Sequence, residues 1–90
     1  MEIEFDRVKA AENLLGHGVG FAHATQALRD PNGVTVEDPD ALGEQRLVTL
    51  GMDALGRVLV VVYTPRAERT RLISARKASK GEAAQYAKGI

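Results

Sequence analysis

The chain has no cysteine and no tryptophan, and its 90 residues include only two Phe, two Tyr and three Pro. Without cysteine there is no disulfide, no thiolate zinc site and no cysteine nucleophile, so core burial or a partner has to supply the stability. The reducing cytoplasm suits such a chain and is the expected compartment. Four aromatics are too few for base stacking to be the main source of any nucleic-acid affinity. The longest apolar runs, such as Val58 to Val62, fall far short of the ~20 residues of a membrane span. The start Met1-Glu2-Ile3-Glu4 is acidic, unlike a secretory leader, so neither a membrane partner nor a targeting segment is expected. There is also no block of like charge or low-complexity run to keep the chain from collapsing. Ninety residues suffice for one core and not for two, so residues 1–90 are expected to form one domain.

What is present is a sorted charge distribution behind a net charge of zero. Residues 1–44 hold nine acids against Arg7, Lys9 and Arg29, whereas residues 45–90 hold nine bases against Asp53, Glu68 and Glu82. Arg66, Arg69, Arg71, Arg76, Lys77 and Lys80 fall within fifteen positions of one another. Either the two halves neutralise each other as ordinary surface, or the second half forms a site for a polyanion.

Local signals divide the chain into short elements. Asp6 suits the N-cap of a helix over Arg7 to Leu15, in which Val8, Ala11 and Leu15 share a stripe, and Gly16-His17-Gly18 stops it. A second helix is expected over Phe21 to Leu28, with Phe21, Ala24 and Leu28 inward and the weaker cap Gly20. Asp30-Pro31-Asn32-Gly33 reads as a turn before a short strand, Val34 to Glu37, and an acidic loop around Pro39. The period then changes to two. Gln45 to Met52, Arg57 to Thr64 and Arg69 to Lys77 read as an antiparallel meander, with Asp53-Ala54-Leu55-Gly56 and Pro65-Arg66-Ala67-Glu68 as its connections. Ser79-Lys80-Gly81-Glu82 fits a capping box for a last helix to about Lys88. The expected class is α+β: two N-terminal helices, an antiparallel sheet of three to four strands and a C-terminal helix, with a very short strand at Glu2 to Phe5 as a further candidate.

Several kinds of chemistry are excluded by pattern. Gly16-His17-Gly18-Val19-Gly20 lacks the GK[ST] or full GxGxxG context of a phosphate cradle, and no serine stands in a nucleophile elbow. His17 and His23, six apart and without a carboxylate pattern, do not form a metal signature, so no metal or other cofactor is expected. Cations and proton carriers remain. Strict alternation along the last strand puts Thr70, Leu72, Ser74 and Arg76 on one face and Arg69, Arg71, Ile73, Ala75 and Lys77 on the other. Arg46, on a strand of the same sheet, is then placed to offer a second guanidinium fork to the phosphate held by Arg76. RNA is cut without a metal when a base takes the 2′-hydroxyl proton, cations hold the pentavalent transition state and an acid protonates the leaving 5′-oxygen. His17, Glu82, Tyr86 and Lys9 are the candidate proton carriers. His17 is the one whose residue type titrates near neutrality.

Phe5-Asp6, Lys9-Ala10, Asn13, His17-Gly18-Val19, Phe21, Ala24 and Asp30 occur in an order that is continued by Glu44-Gln45-Arg46, Gly51, Val61-Val62-Tyr63-Thr64 and Arg71-Leu72-Ile73-Ser74-Ala75-Arg76-Lys77-Ala78, with Glu82 and Tyr86 beyond. Over nearly its whole length the chain resembles the BrnT family of type II toxins. Three places depart from the family pattern: Phe5-Asp6-Arg7, Gly16, and Gly20-Phe21-Ala22-His23. The resemblance implies a RelE-like fold, a metal-independent endoribonuclease that inhibits translation, and a BrnA-like ribbon-helix-helix antitoxin through which alone DNA is contacted. It places function at His17, Arg46, Ser74, Arg76, Glu82 and Tyr86 as the catalytic set. Lys9, Arg69, Arg71 and Lys77 are the residues expected to bind RNA. The alternative is a catalytically weak partner of the antitoxin that serves as co-repressor of the operon.

Overall fold

The Asp6 carboxylate accepts the backbone N–H of Val8 at 2.8 Å and starts helix α1 (Arg7–His17) in the computed structural model, which describes residues 2–89. The two ends of the expected 1–90 domain, Met1 and Ile90, lie outside the described residues. Helix α1 runs to His17, past the expected end at Leu15. Gly18, at φ 69°, closes it in the left-handed conformation that glycine adopts without a Cβ penalty. Helix α2 (Phe21–Leu28) follows, then β2 (Val34–Glu37), β3 (Leu47–Met52), β4 (Val58–Arg66), β5 (Arg69–Lys77) and α3 (Lys80–Lys88). The capping box is formed as read: Glu82 N–H donates to Ser79 Oγ at 3.2 Å, and Ser79 N–H donates to Glu82 Oε1 at 2.9 Å.

The class is α+β, but the sheet is larger than the meander and not purely antiparallel. Its order is β1-β5-β4-β3-β2, and β1 (Glu2–Glu4) lies parallel to β5 at its outer edge. The three to four antiparallel strands are thus corrected to a five-stranded mixed sheet. Parallel pairing between residues more than sixty apart carries no local sequence signal, whereas the hairpins β3–β4 and β4–β5 announce themselves in their turns.

Helices α1 and α2 cover one face. Val19, Phe21, Ala24 and Ala27 meet Leu59, Val61, Leu72 and Ala75 there in a single buried cluster. Close approach of α2 depends on small residues, since a Cβ on Gly51 of β3 would stand 2.1 Å from the Ala27 carbonyl oxygen. Leu28 packs against this cluster as expected, half-buried, and Ala27 beside it is fully buried. The outward turn of α1 is less expected: Asn13 is its buried residue, and Val8 and Leu15 of the apolar stripe face water.

Strand β5 carries a bulge that re-aims its side chains. Val62 pairs with Ser74 and Tyr63 with Leu72, so Ile73 is the extra residue. Strict alternation from Arg69 to Lys77 is therefore corrected. Leu72 joins Ala75 and Lys77 on the side of α1 and α2, while Arg69 and Arg71 join Ser74 and Arg76 on the opposite face. Helix α3 packs on that second face, against β3.

Candidate functional site at the open edge of strand β5

Among the described residues strand β1 pairs with β5 from Arg69 to Arg71, and no strand neighbours the edge of Ile73 to Lys77. The buried Asn13 takes the place of one. Its Oδ1 accepts the Ala75 N–H at 3.0 Å, and its Nδ2 donates to the Ala75 carbonyl at 2.8 Å and to the Val19 carbonyl at 2.9 Å. One side-chain amide so satisfies both backbone groups of an edge residue, as a strand would. Lys9, Asn13 and His17 follow at i, i+4 and i+8, one stripe of α1 laid along this edge. With Glu12 and Ile73 they line an open groove of about 330 Å³.

The direction of the stripe follows from its ends. Chain leaves β1 opposite Arg71 to enter α1, and the carbonyl of Gly18 receives Arg57 Nη1 at 3.4 Å, just ahead of β4. Helix α1 therefore runs parallel to β5. One helical turn rises ~5.4 Å and two strand residues ~6.6 Å, so a turn beyond Asn13 brings His17 to the level of Lys77. Among the described residues no carboxylate lies within ion-pair distance of Lys9, His17 or Lys77.

The arginines are arranged differently from the expectation. Arg46 precedes β3, where the register continues to Thr64, whereas Arg76 pairs with Val60. Four residues of β4 separate those levels by ~13 Å. Both arginines use the α3 face, but they start from levels ~13 Å apart, so the structure does not bring them together as the expected clamp. Each is moreover held by a carboxylate: Arg46 Nε lies 3.3 Å from Asp38, and Arg76 donates to both oxygens of Glu82 at 2.7 and 2.8 Å. The groove beside Arg46 is also lined by Asp40 and Glu44, which disfavour a phosphate. Arg69 lies 3.5 Å from both Glu2 and Glu4, and Arg71 3.7 Å from Glu4. As RNA-binding groups these two are thereby offset by strand β1. Acids of the first half thus neutralise Arg46, Arg66, Arg69 and Arg71 of the second, whereas Lys9 and Lys77 at the β5 edge, like Lys80 and Lys88 of α3, have no carboxylate partner among the described residues.

Two of the expected proton carriers serve the structure. The Arg76 guanidinium holds the Glu82 carboxyl well below its ordinary 4.5, at about 2, against the opposing effect of burial. A carboxylate so stabilised is a weak base, and its two hydrogen bonds hold the Arg76 guanidinium in place. Tyr86 donates to Asp30, which holds the phenol above its ordinary value. Asp30 also accepts the Met52 N–H at 2.8 Å and the Asn32 N–H at 2.9 Å, so Tyr86 ties α3 to the α2–β2 turn and the end of β3. Ser74 lies half-buried on the face of Arg76. Arg76 itself stays 46 % exposed, with its Nε–H and one Nη2–H uncommitted among the described residues.

The reading of the sequence missed two groups. Asn13 could have been found by its place between Lys9 and His17 on a stripe where an apolar residue was due. The other is the ion cluster around Asp53. Burial pushes its carboxyl up, but the Arg57 backbone N–H and guanidinium and the Leu55 N–H outweigh that and leave it below the ordinary value. His23 Nδ1 lies 3.3 Å from the same carboxylate, buried and without a hydrogen-bond partner. Asp30, Asp53 and Glu82 thus all bind protons less readily folded than unfolded. Their stabilisation is complete above the ordinary carboxylate range and is lost as pH falls through the folded values. Urea unfolding is expected to show constant stability from neutrality down to pH 4.5 and a progressive loss from there toward about 2.

Among the described residues no three His, Asp or Glu side chains gather as a metal site, and no helix is long and apolar enough to cross a membrane. A family model described as the ribonuclease toxin BrnT of type II toxin-antitoxin systems matches residues 5–82. The crystal structure of the Brucella abortus ribonuclease toxin BrnT is similar to this chain at a TM-score of 0.65 and 28% identity, covering 89% of this chain and 99% of that one. Among curated proteins none matches.

Proposed function

The chain belongs to the BrnT family of ribonuclease toxins of type II toxin-antitoxin systems, and from that premise we infer that it is a RelE-like, metal-independent endoribonuclease of the cytoplasm that arrests translation by cutting RNA along the open edge of β5. The observation that carries this reading is the stripe Lys9–Asn13–His17, pinned to Ala75 and free of carboxylate partners among the described residues, beside a bulged strand that presents Ser74 and Arg76 from its other face.

In this arrangement the RNA backbone lies along the edge. The imidazole of His17 exchanges the proton of the attacking 2′-hydroxyl or of the leaving 5′-oxygen. Lys9, Lys77 and the uncommitted donors of Arg76 face the phosphate and stabilise the charge that grows on its oxygens in the transition state. Ser74 orients that phosphate. Glu82 positions Arg76, and Tyr86 holds α3 in place. Arg46, Arg69 and Arg71 belong to the ion-paired surface outside the groove. An antitoxin of the BrnA-like ribbon-helix-helix kind is the partner, and DNA is reached only through it.

Incubating the purified chain with single-stranded RNA in excess EDTA tests the reaction class. The reading requires products ending in 2′,3′-cyclic phosphate at an unchanged rate, and an Arg46→Ala variant that cuts within about threefold of the parent. Cleavage abolished by EDTA would contradict metal independence. A completely inactive Arg46→Ala variant would move the site to the groove beside Thr64.

A further inference from the structure

Cleavage through a 2′,3′-cyclic phosphate moves two protons, one off the attacking 2′-hydroxyl and one onto the leaving 5′-oxygen, so an imidazole at one oxygen leaves the other without a carrier. Glu82 is committed to Arg76 and lies with α3 on the other face of the sheet, and Tyr86 donates to Asp30. The groove itself holds a further group that titrates. Glu12 lines it together with Lys9, Asn13, His17 and Ile73, and its side chain is exposed. The other acids near α1 have structural partners: Asp6 caps the helix, Glu4 faces Arg69 and Arg71, and Asp53 holds Arg57. No cation lies within ion-pair distance of Glu12 among the described residues. The i+4 position, from which a base would pair with it best, is Gly16. A Cβ on Gly16 would meet nothing within 4 Å, so the helix surface one turn beyond Glu12, on the way to His17, is open.

Glu12 and His17 flank Asn13 on either side, five residues and ~7.5 Å apart along the axis. That separation suits the reaction. The 2′-oxygen enters and the 5′-oxygen leaves on opposite sides of phosphorus, so base and acid stand apart, each about 3 Å from its own oxygen. A carboxyl and an imidazole also lose their protons in different ranges, which leaves an interval in which the first is ionised and the second protonated, the states that a base and an acid need. We propose that Glu12 is the general base of the cleavage and His17 its general acid. The proposal rests on the nuclease reading above and adds which group acts at each oxygen. The Glu12 carboxylate takes the proton of the 2′-hydroxyl and the 2′-oxygen bonds to phosphorus. The bond from phosphorus to the 5′-oxygen breaks, and that oxygen leaves with the proton of the His17 imidazolium. One product ends in a 2′,3′-cyclic phosphate and the other begins with a 5′-hydroxyl; Glu12 then gives its proton to water and His17 regains one. The other charged groups at this edge are Lys9 of α1 and Lys77 of β5, which hold the phosphate. A carboxylate beside a phosphate weakens binding by like-charge repulsion, which separates a catalytic role for Glu12 from a binding one.

Glu12→Gln keeps the shape of the side chain and removes the basic oxygen. In the full chain, with single-stranded RNA as substrate and its 2′-O-methyl counterpart as binding probe, this variant is expected to lower kcat by about 10²-fold or more and to bind the probe at least as tightly as the parent. Glu12→Asp, with the same group on a stem one methylene shorter, should fall between the two. Glu68→Gln, at an exposed carboxyl of the β4–β5 turn, should cut as the parent does. The parent rate should rise with pH as the carboxylate ionises and fall as the imidazolium loses its proton; in Glu12→Gln the acid limb disappears and the alkaline limb remains. A Glu12→Gln variant that cuts within about threefold of the parent, a loss of kcat matched by a loss of binding, or a parent rate that climbs through the imidazole range would each overturn the proposal. A parent that cuts nothing defeats the nuclease reading itself, whereas an active parent with an unaffected Glu12→Gln variant removes this assignment alone.

Discussion

Replacing His17 with alanine is expected to slow RNA cleavage by about 10²–10⁴-fold, the usual contribution of a positioned general acid or base, and to leave the melting temperature almost unchanged. Position decides this. His17 is the exposed last residue of α1, just before the Gly18 that closes the helix, so truncating its side chain removes no buried contact. Its backbone stays fixed, because Asn13 one turn earlier holds the helix to Ala75. Of the proton carriers considered, Glu82 is committed to Arg76 and Tyr86 to Asp30. Lys9→Ala should cost less, about tenfold, since other cations share the phosphate's charge. A His17→Ala enzyme that cuts within about threefold of the parent would show that the proton is moved elsewhere.

Asn13→Ala is expected to destabilise the fold by about 3 kcal/mol or more. A buried donor or acceptor stripped of its partner costs ~1–3 kcal/mol, and this single change strips three of them: the Ala75 N–H and carbonyl and the Val19 carbonyl. In a domain of this size that lowers the melting temperature by roughly 12–24 °C. Asn13→Asp separates geometry from charge: ionised, it can accept the Ala75 N–H but donates to neither carbonyl, whereas protonated at low pH it can also donate to one of them, so at low pH it should fall between the parent and the alanine variant. A thermal unfolding scan distinguishes these cases. A loss under about 1 kcal/mol for Asn13→Ala would mean that water replaces the amide and that the edge of β5 does not depend on it.

Features decided within a few residues were legible in the sequence. The Asp6 cap, the Ser79–Glu82 capping box and the Asp53 to Gly56 turn each rest on contacts among neighbours, and each forms where expected. The bulge at Ile73 was not legible, because isoleucine and its neighbours are equally good strand residues and only the pairing with β4 reveals the extra position. That one residue moved Arg69 and Arg71 to the face of Ser74 and Arg76. Strand β1 was foreseen only as an appendage, although it is what pairs Glu2 and Glu4 with those arginines across more than sixty positions. The sorting of charge between the halves was visible and correctly suggested two outcomes; their ion pairs, which choose neutralisation for Arg46, Arg66, Arg69 and Arg71, depend on tertiary approach. The stripe of Val8, Ala11 and Leu15 is a genuine apolar face, but periodicity cannot say whether a helix turns such a face to its own sheet or to water. Asn13 decides that here.

The account stands on RNA lying along the β5 edge against α1. The most direct measurement is the amide NMR spectrum of the 15N-labelled chain titrated with a 2′-O-methyl oligoribonucleotide, which binds without offering the attacking hydroxyl. Salt-sensitive shifts are expected at Lys9 to Gly18 and Ile73 to Lys77, with little change from Asp38 to Arg46. Shifts concentrated at Asp38 to Arg46 and Arg66, with α1 silent, would contradict it.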